Sequence, residues 1–159
     1  MPDLLVRLYD LPQLESERKV ADAGIAVRRA LAPEGELIRE WIGKHFDHHW
    51  VAEASAALAR SPTTILIAIK DNRLLGFACY DTTAKGFFGP TGVDEAERGQ
   101  GIGEALLIAT LRAMREAGYG YGFIGAAGPV GFYQRRLDAI VIPDSEPGVY
   151  KGMLRRPKT

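Results

Sequence analysis

The residues of this 159-residue chain best suited to chemistry are Arg98-Gly99-Gln100-Gly101-Ile102-Gly103. An apolar, β-branched run ends just before them at Val93, and the most regular amphipathic stretch of the sequence begins just after. Glycines at such a step admit backbone conformations closed to other residues and keep side chains out of the way, so successive N–H groups can point at one anion. A helix start adds unpaired amides and the positive end of its dipole. Arg98 adds a formal charge at the mouth. The turn therefore suits a phosphate or diphosphate, and spacing excludes two phosphate-loop types. No Gly-Lys-Ser/Thr occurs, since Gly43-Lys44 is followed by His45. A dinucleotide turn lies early in its fold and carries a third glycine, whereas Gly99-x-Gly101 comes late and runs on to Glu104. What remains is R-x-x-G-x-G between a strand and a helix.

Other reactive residue types carry less. His45, His48 and His49 have no acidic or cysteine partner at ligand spacing, so no metal is expected and a solvent-facing loop is the plainer reading. Cys79, the only cysteine, excludes an intrachain disulfide and a cysteine zinc cage, fits a reducing compartment, and in a strand is expected to be a small core residue. Twenty basic residues balance twenty acidic ones, so no global field draws the chain to nucleic acid or anionic lipid. No apolar run approaches the roughly 20 residues that span a bilayer, and Met1-Pro2-Asp3 lacks the order of an export leader. A cytoplasmic location is expected, with no membrane and no nucleic acid as partner. With 47% apolar and 25% charged residues, residues 1–159 are expected to form a single domain.

The elements that must hold the glycine turn follow from periodicity. Residues 1–24 form an N-terminal extension whose apolar start, Leu4 to Tyr9, suits an extra edge strand. Ile25 to Ala30 reads as a strand, and Pro33 suits the first turn of a helix. Leu37, Ile38, Trp41 and Ile42, then Trp50, Ala54, Ala57 and Leu58, recur at helical spacing until Ser61-Pro62. Thr64 to Ile69 is a continuous apolar run covered on both faces, and Leu74 to Tyr80 with Gly86 to Val93 completes an antiparallel meander. Gly101 to Ala117 is the clearest helix, with Gly118 as its C-terminal cap. Strand Tyr121 to Ile124, helix Pro129 to Arg136, strand Ala139 to Ile142 and a last strand Val149 to Leu154 follow. The tail 155–159 is expected to be loose, its Arg155, Arg156 and Lys158 solvated. The order gives an α/β (α+β) mixed sheet flanked by helices.

The motif R-x-x-G-x-G and, some thirty residues on, Gly131-Phe132-Tyr133-Gln134-Arg135 resemble the GNAT superfamily of N-acetyltransferases over about Ile25 to Leu154. The first matches that family's Q/R-x-x-G-x-G/A between its fourth strand and third helix, the second its F-Y-E-K element. The resemblance implies a mostly antiparallel sheet with helices on both faces, splayed between the fourth strand (here Gly86 to Val93) and the fifth (Tyr121 to Ile124). Gly89-Pro90 suits the bulge that such a fourth strand carries, because proline cannot donate to a ladder. It implies that Arg98, Gly99, Gln100, Gly101, Ile102 and Gly103 bind the pyrophosphate of acetyl-CoA, used as co-substrate. Thr91, Gly92 and Val93 would align its pantetheine arm and stabilise an oxyanion, with Phe132 beside the arm. Tyr133 would be the catalytic acid that protonates the leaving thiolate; its plainer role is packing with Phe132.

By the same resemblance the acceptor is a primary amine of a small molecule or peptide, reached through the loops His45 to Trp50, Asp81 to Lys85 and Pro143 to Gly148. Three departures stand out. Ala126 replaces an asparagine common in the family, Arg135-Arg136-Leu137-Asp138-Ala139 replaces its usual Lys-x-Gly-Phe so that the fourth helix is open to a different end, and no carboxylate lies in Gly86 to Val93 to act as base. Asp81, a histidine and a water chain all stay open for that role, as does a non-catalytic acyl-CoA sensor. Family members often pair, so a homodimer is also open.

Overall fold

The chain starts as a strand because Leu4 and Val6, two apart, both find the core. This strand, β1 (Leu4–Arg7), leads through a 3-10 turn at Leu8–Asp10 into α1 (Glu15–Asp22), β2 (Ala26–Arg29), α2 (Gly35–His45) and α3 (His48–Leu58). The meander is β3 (Ile65–Lys70), β4 (Arg73–Tyr80) and β5 (Phe87–Val93), followed by α4 (Ile102–Glu116), β6 (Tyr121–Ile124), α5 (Val130–Leu137) and β7 (Ile140–Val141). The computed structural model describes residues 1–158, so Thr159 of the expected tail 155–159 lies outside the described residues.

One sheet has the order β2-β3-β4-β5-β6-β1-β7, antiparallel throughout except for the parallel pair β5–β6. The continuous apolar run of β3 is explained by cover on both sides. Leu66 and Ala68 pack in the core with α1, α4 and α5, while Ile65 and Ile67 pack in a second core with α2 and α3. Along β4, Ala78 and Tyr80 go to the first core, Phe77 and Cys79 to the second. The long helix α4 buries nine side chains against the sheet and α1, and ends where Gly118 turns at φ +106°.

Two expectations need correction. β1 is not an edge strand: it pairs with β6 from Leu4↔Ile124 to Arg7↔Tyr121, and β7 covers its other side. Residues 149–154 do not form a strand. β6 and β1 are already paired on both sides, and β7 offers an edge only two residues long. A 3-10 turn at Gly148–Tyr150 results instead, with Leu154 92% exposed.

The expected splay is present. β5 and β6 pair only at Phe87↔Phe123 and Phe88↔Ile124, and the rest of β5 leaves β6. On its other side β5 stays on β4, with a register shift opposite Gly89 and Pro90, where Ala78 faces Thr91 but Tyr80 faces Phe88. The extra β5 residue is the bulge.

Candidate active site

The glycine turn is shaped by its own short-range bonds. The Asp94 carboxylate accepts from the Ala96 amide at 3.0 Å, and the Gln100 side chain donates to the Glu97 carbonyl and carboxylate at 3.1 and 2.8 Å. Gly99 and Gly101 then take φ of +90° and +84°, which side-chain-bearing residues rarely adopt. The first bond of α4 runs from the Ala105 amide to the Gly101 carbonyl at 3.0 Å. The amides from Gly99 to Glu104 consequently have no acceptor among the described residues. A Cβ at Gly99 would meet nothing within 4 Å, so the ring of donors is open. These residues fit a diphosphate: the donors are unspent and nothing fills the cradle.

The surrounding charges are consistent with an anion. Two carboxylates beside the turn are neutralised, Glu97 by Arg73 at 2.9 Å and Glu104 by Arg136 at 3.1 Å. Lys19 of α1 reaches across to the Gly99 carbonyl at 3.4 Å, and Arg98 stands exposed at the rim.

From the turn a cavity of about 420 Å³ runs along the unpaired length of β5 to α5. Thr91, Gly92, Val93, Arg98, Gly99, Gly101, Ile102, Gly103, Phe132 and Tyr133 all line it, joined by Phe88, Glu97, Glu104 and Leu107. Of the eleven residues expected to bind acetyl-CoA or act on it, only Gln100 is absent from its wall; its side chain braces the turn instead. Gly92 has a second task. A Cβ there would run into the Phe46 ring, which presses on β5 from the α2–α3 side. Tyr133 is 8% exposed, and burial pushes its phenol above the usual tyrosine range. The phenol therefore stays protonated at neutral pH.

The other candidates are scattered. Asp81 is spent on structure, accepting from the Gly86 amide at 2.7 Å and the Tyr119 hydroxyl at 2.8 Å, and it does not line the cavity. His45 lies 2.9 Å from the Trp41 carbonyl and 3.6 Å from Asp94, while His48 and His49 are exposed at the start of α3. Cys79 is fully buried and its thiol is pushed well up by that burial, so it is a core residue.

A second, smaller cavity of about 250 Å³ lies on the α3 side of the sheet; its Trp50 and Thr83 belong to loops expected to admit the acceptor, whereas sequence reasoning missed Glu53 and Tyr150. Trp50 and Glu53 of α3, Thr83, Phe87 and Tyr150 line it, with Gly89, Pro90 and Ala126. Phe88 lines both cavities, so they back onto one another where β5 leaves β6. A signal for Glu53 existed: it stands three residues after Trp50 and beside Ala54 on the inward stripe of α3, where a carboxylate breaks the pattern. Lys19 and Arg136 gave no local signal.

The acetyltransferase (GNAT) family model matches residues 26–138. Among solved structures, a GCN5-related glucosamine N-acetyltransferase region of a fungal multi-domain GH3 β-N-acetylglucosaminidase superposes with a TM-score of 0.74 at 14% identity, covering 89% of this chain and 19% of that one. A GCN5-related N-acetyltransferase from Sphaerobacter thermophilus gives 0.66 at 19% identity, covering 89% and 48%. A GNAT family acetyltransferase from Brucella melitensis, in complex with acetyl-CoA, gives 0.50 at 22%, covering 70% and 80%. These likenesses are of fold. The chain spans about a fifth of the first and about half of the second. No curated protein matches the sequence significantly.

Proposed function

This chain belongs to the GNAT acetyltransferase family, and from that premise we propose that it transfers acetyl from acetyl-CoA to a primary amine by direct attack in a ternary complex. One observation carries the reading: unspent amides at the start of α4, the unpaired edge of β5 and the Tyr133 phenol all line the same cavity. Acetyl-CoA supplies an acyl carbon activated by a thiolate leaving group. The amides of Gly99 to Gly103 hold the pyrophosphate, with Arg98 adding charge at the mouth. The free edge of β5 from Thr91 to Val93 aligns the pantetheine arm as an added strand is aligned, with Phe132 against it. Amides of the same edge take up the negative charge that forms on the carbonyl oxygen when the amine attacks.

Tyr133 completes the balance. An acceptor that arrives as an ammonium first loses a proton to solvent. The free amine then attacks to form the C–N bond, the oxyanion collapses with loss of the C–S bond, the departing sulfur takes the Tyr133 proton, and the nitrogen gives up a second proton that restores the phenol through solvent. The amine arrives from the α3 side, where the second cavity meets the first at Phe88.

Calorimetry with acetyl-CoA and a thiol-release assay over a panel of primary amines test the proposal together. Saturable binding and amine-dependent release of CoA are expected. Absence of acetyl-CoA binding to folded protein, freed of copurified CoA, overturns it. Binding without release for any amine leaves the acyl-CoA sensor in its place.

A further inference from the structure

Resting on that reading, we propose that the cavity on the α3 side selects a compact amine in its ammonium form, carrying no carboxylate of its own, and that Glu53 is the residue that selects it. Five glutamates are partly buried: Glu17, Glu34, Glu53, Glu97 and Glu104. Four of them face an arginine: Glu17 meets Arg112, Glu34 Arg28, Glu97 Arg73 and Glu104 Arg136. Glu53 alone has no cationic partner among the described residues. Its Oε1 accepts from the Thr83 hydroxyl and has the Thr82 oxygen 3.5 Å away, while its other oxygen accepts no hydrogen bond among the described residues. A half-buried carboxylate held in place by a hydroxyl, with one oxygen free, is a ready partner for a counter-charge. In this chain the missing counter-charge is matched by a cavity wall.

The rest of the wall suits the same ligand. Trp50, Phe87 and Tyr150 offer aromatic faces, which attract an ammonium and pack an aliphatic or aromatic body. Met1 is at the rim, but its amino group is taken up by Glu146. Among the described residues no arginine or lysine lines the cavity, so a carboxylate on the ligand would meet Glu53 uncompensated. The volume of about 250 Å³ falls just below the usual range for drug-sized ligands, which limits the body to a few heavy atoms or to the end of a longer side chain. Thr82 ties the arrangement to the bulge, donating to the Gly89 carbonyl at 3.0 Å while it approaches Glu53. The carboxylate is thereby held against the strand that borders the acyl group.

Tryptophan fluorescence of the CoA-bound protein, titrated with 1-aminobutane, 1-butanol and 4-aminobutanoate, tests this directly. The wild type is expected to bind the amine at least about tenfold tighter than the alcohol, and tighter than the amino acid. Glu53→Gln is expected to lose about 10- to 100-fold in amine affinity and to level the three ligands, while Glu53→Asp recovers part of the loss. Acetyl-CoA affinity by calorimetry stays as in the wild type for both variants. Wild-type protein that binds none of the three, or binds amine and alcohol alike, overturns the proposal, as does a folded Glu53→Gln that keeps the preference. If Glu53→Gln does not fold, the amine-to-alcohol ratio of the wild type decides alone. Loss of acetyl-CoA binding in the wild type condemns the acetyl-transfer reading instead, and the two failures are therefore distinct.

Discussion

The slot on the α4 side and the pocket on the α3 side are built from different materials. The slot is made of main chain: amides of a glycine turn and the unpaired edge of β5, with one phenol at its end. The pocket is made of side chains from α3, the β4–β5 loop and the 3-10 turn at Gly148–Tyr150, brought together from nearly 100 residues apart in sequence. A main-chain site is fixed by local conformation and tolerates little change at its glycines. A side-chain site changes its ligand whenever one wall residue changes. In the proposed reaction the first handles the co-substrate common to the family and the second the acceptor particular to this chain.

Tyr133 stands at the end of the slot, and its loss is expected to have the largest effect. Tyr133→Phe keeps the ring packed beside Phe132, whose centroid lies 5.4 Å away, and removes only the proton. Turnover is expected to fall about 100-fold, with acetyl-CoA affinity unchanged, measured by steady-state kinetics and calorimetry. The pH profile gives the sign. Because burial raises the phenol above its ordinary value of 10.0, it stays protonated through neutrality, and the wild-type rate falls only as pH rises past that value. The Tyr133→Phe variant loses that alkaline limb.

Gly101 tests the main-chain side alone. Gly101→Val must adopt φ of +84° and places a Cβ 3.2 Å from that of Ser16. Strain of about 1–3 kcal/mol shifts the amides, so acetyl-CoA affinity is expected to drop by about tenfold or more. Amine binding in the α3-side pocket should be unchanged by the same titration. Gly103→Ala is the control, since its φ is ordinary and its new Cβ would have Val93 as nearest neighbour at 3.7 Å. An equal loss in both variants would mean that crowding rather than backbone conformation matters at the turn.

This contrast also explains what the sequence reveals. R-x-x-G-x-G, the run that ends at Val93 with four residues intervening, and the Phe132-Tyr133 pair some thirty residues on are each short local signals, and together they place ten of the eleven named site residues on one cavity wall. The two-sided cover of β3 is likewise readable, because both cores leave their mark on one short segment. The position of β1 is not readable, since its neighbours β6 and β7 lie more than a hundred residues away, and apolar periodicity states that a strand is buried without saying between which partners. Val149 to Leu154 misleads for the converse reason: its composition suits a strand, but at its end of the sheet the free edge is β7, two residues long, and the other edge, β2, lies at the opposite end. Glu53 escapes notice because its meaning depends on Thr82 and Thr83, supplied by a loop about thirty residues downstream.

Arg98 offers the smallest expected effect and the finest discrimination between charge and backbone. The side chain is exposed at the rim of the slot, so its attraction for a phosphate is worth no more than an exposed ion pair, about 0.2–1 kcal/mol. Arg98→Ala is expected to weaken acetyl-CoA binding about two- to fivefold at low salt, and the difference from wild type should vanish as salt rises. The Gly101→Val loss, which comes from misdirected amides rather than a solvated charge, should persist in high salt. Calorimetric titrations at two ionic strengths separate the cases. A salt-independent loss in Arg98→Ala would show that its guanidinium acts by packing or by a direct bond within the slot, and the division between main-chain grip and rim charge would have to be redrawn.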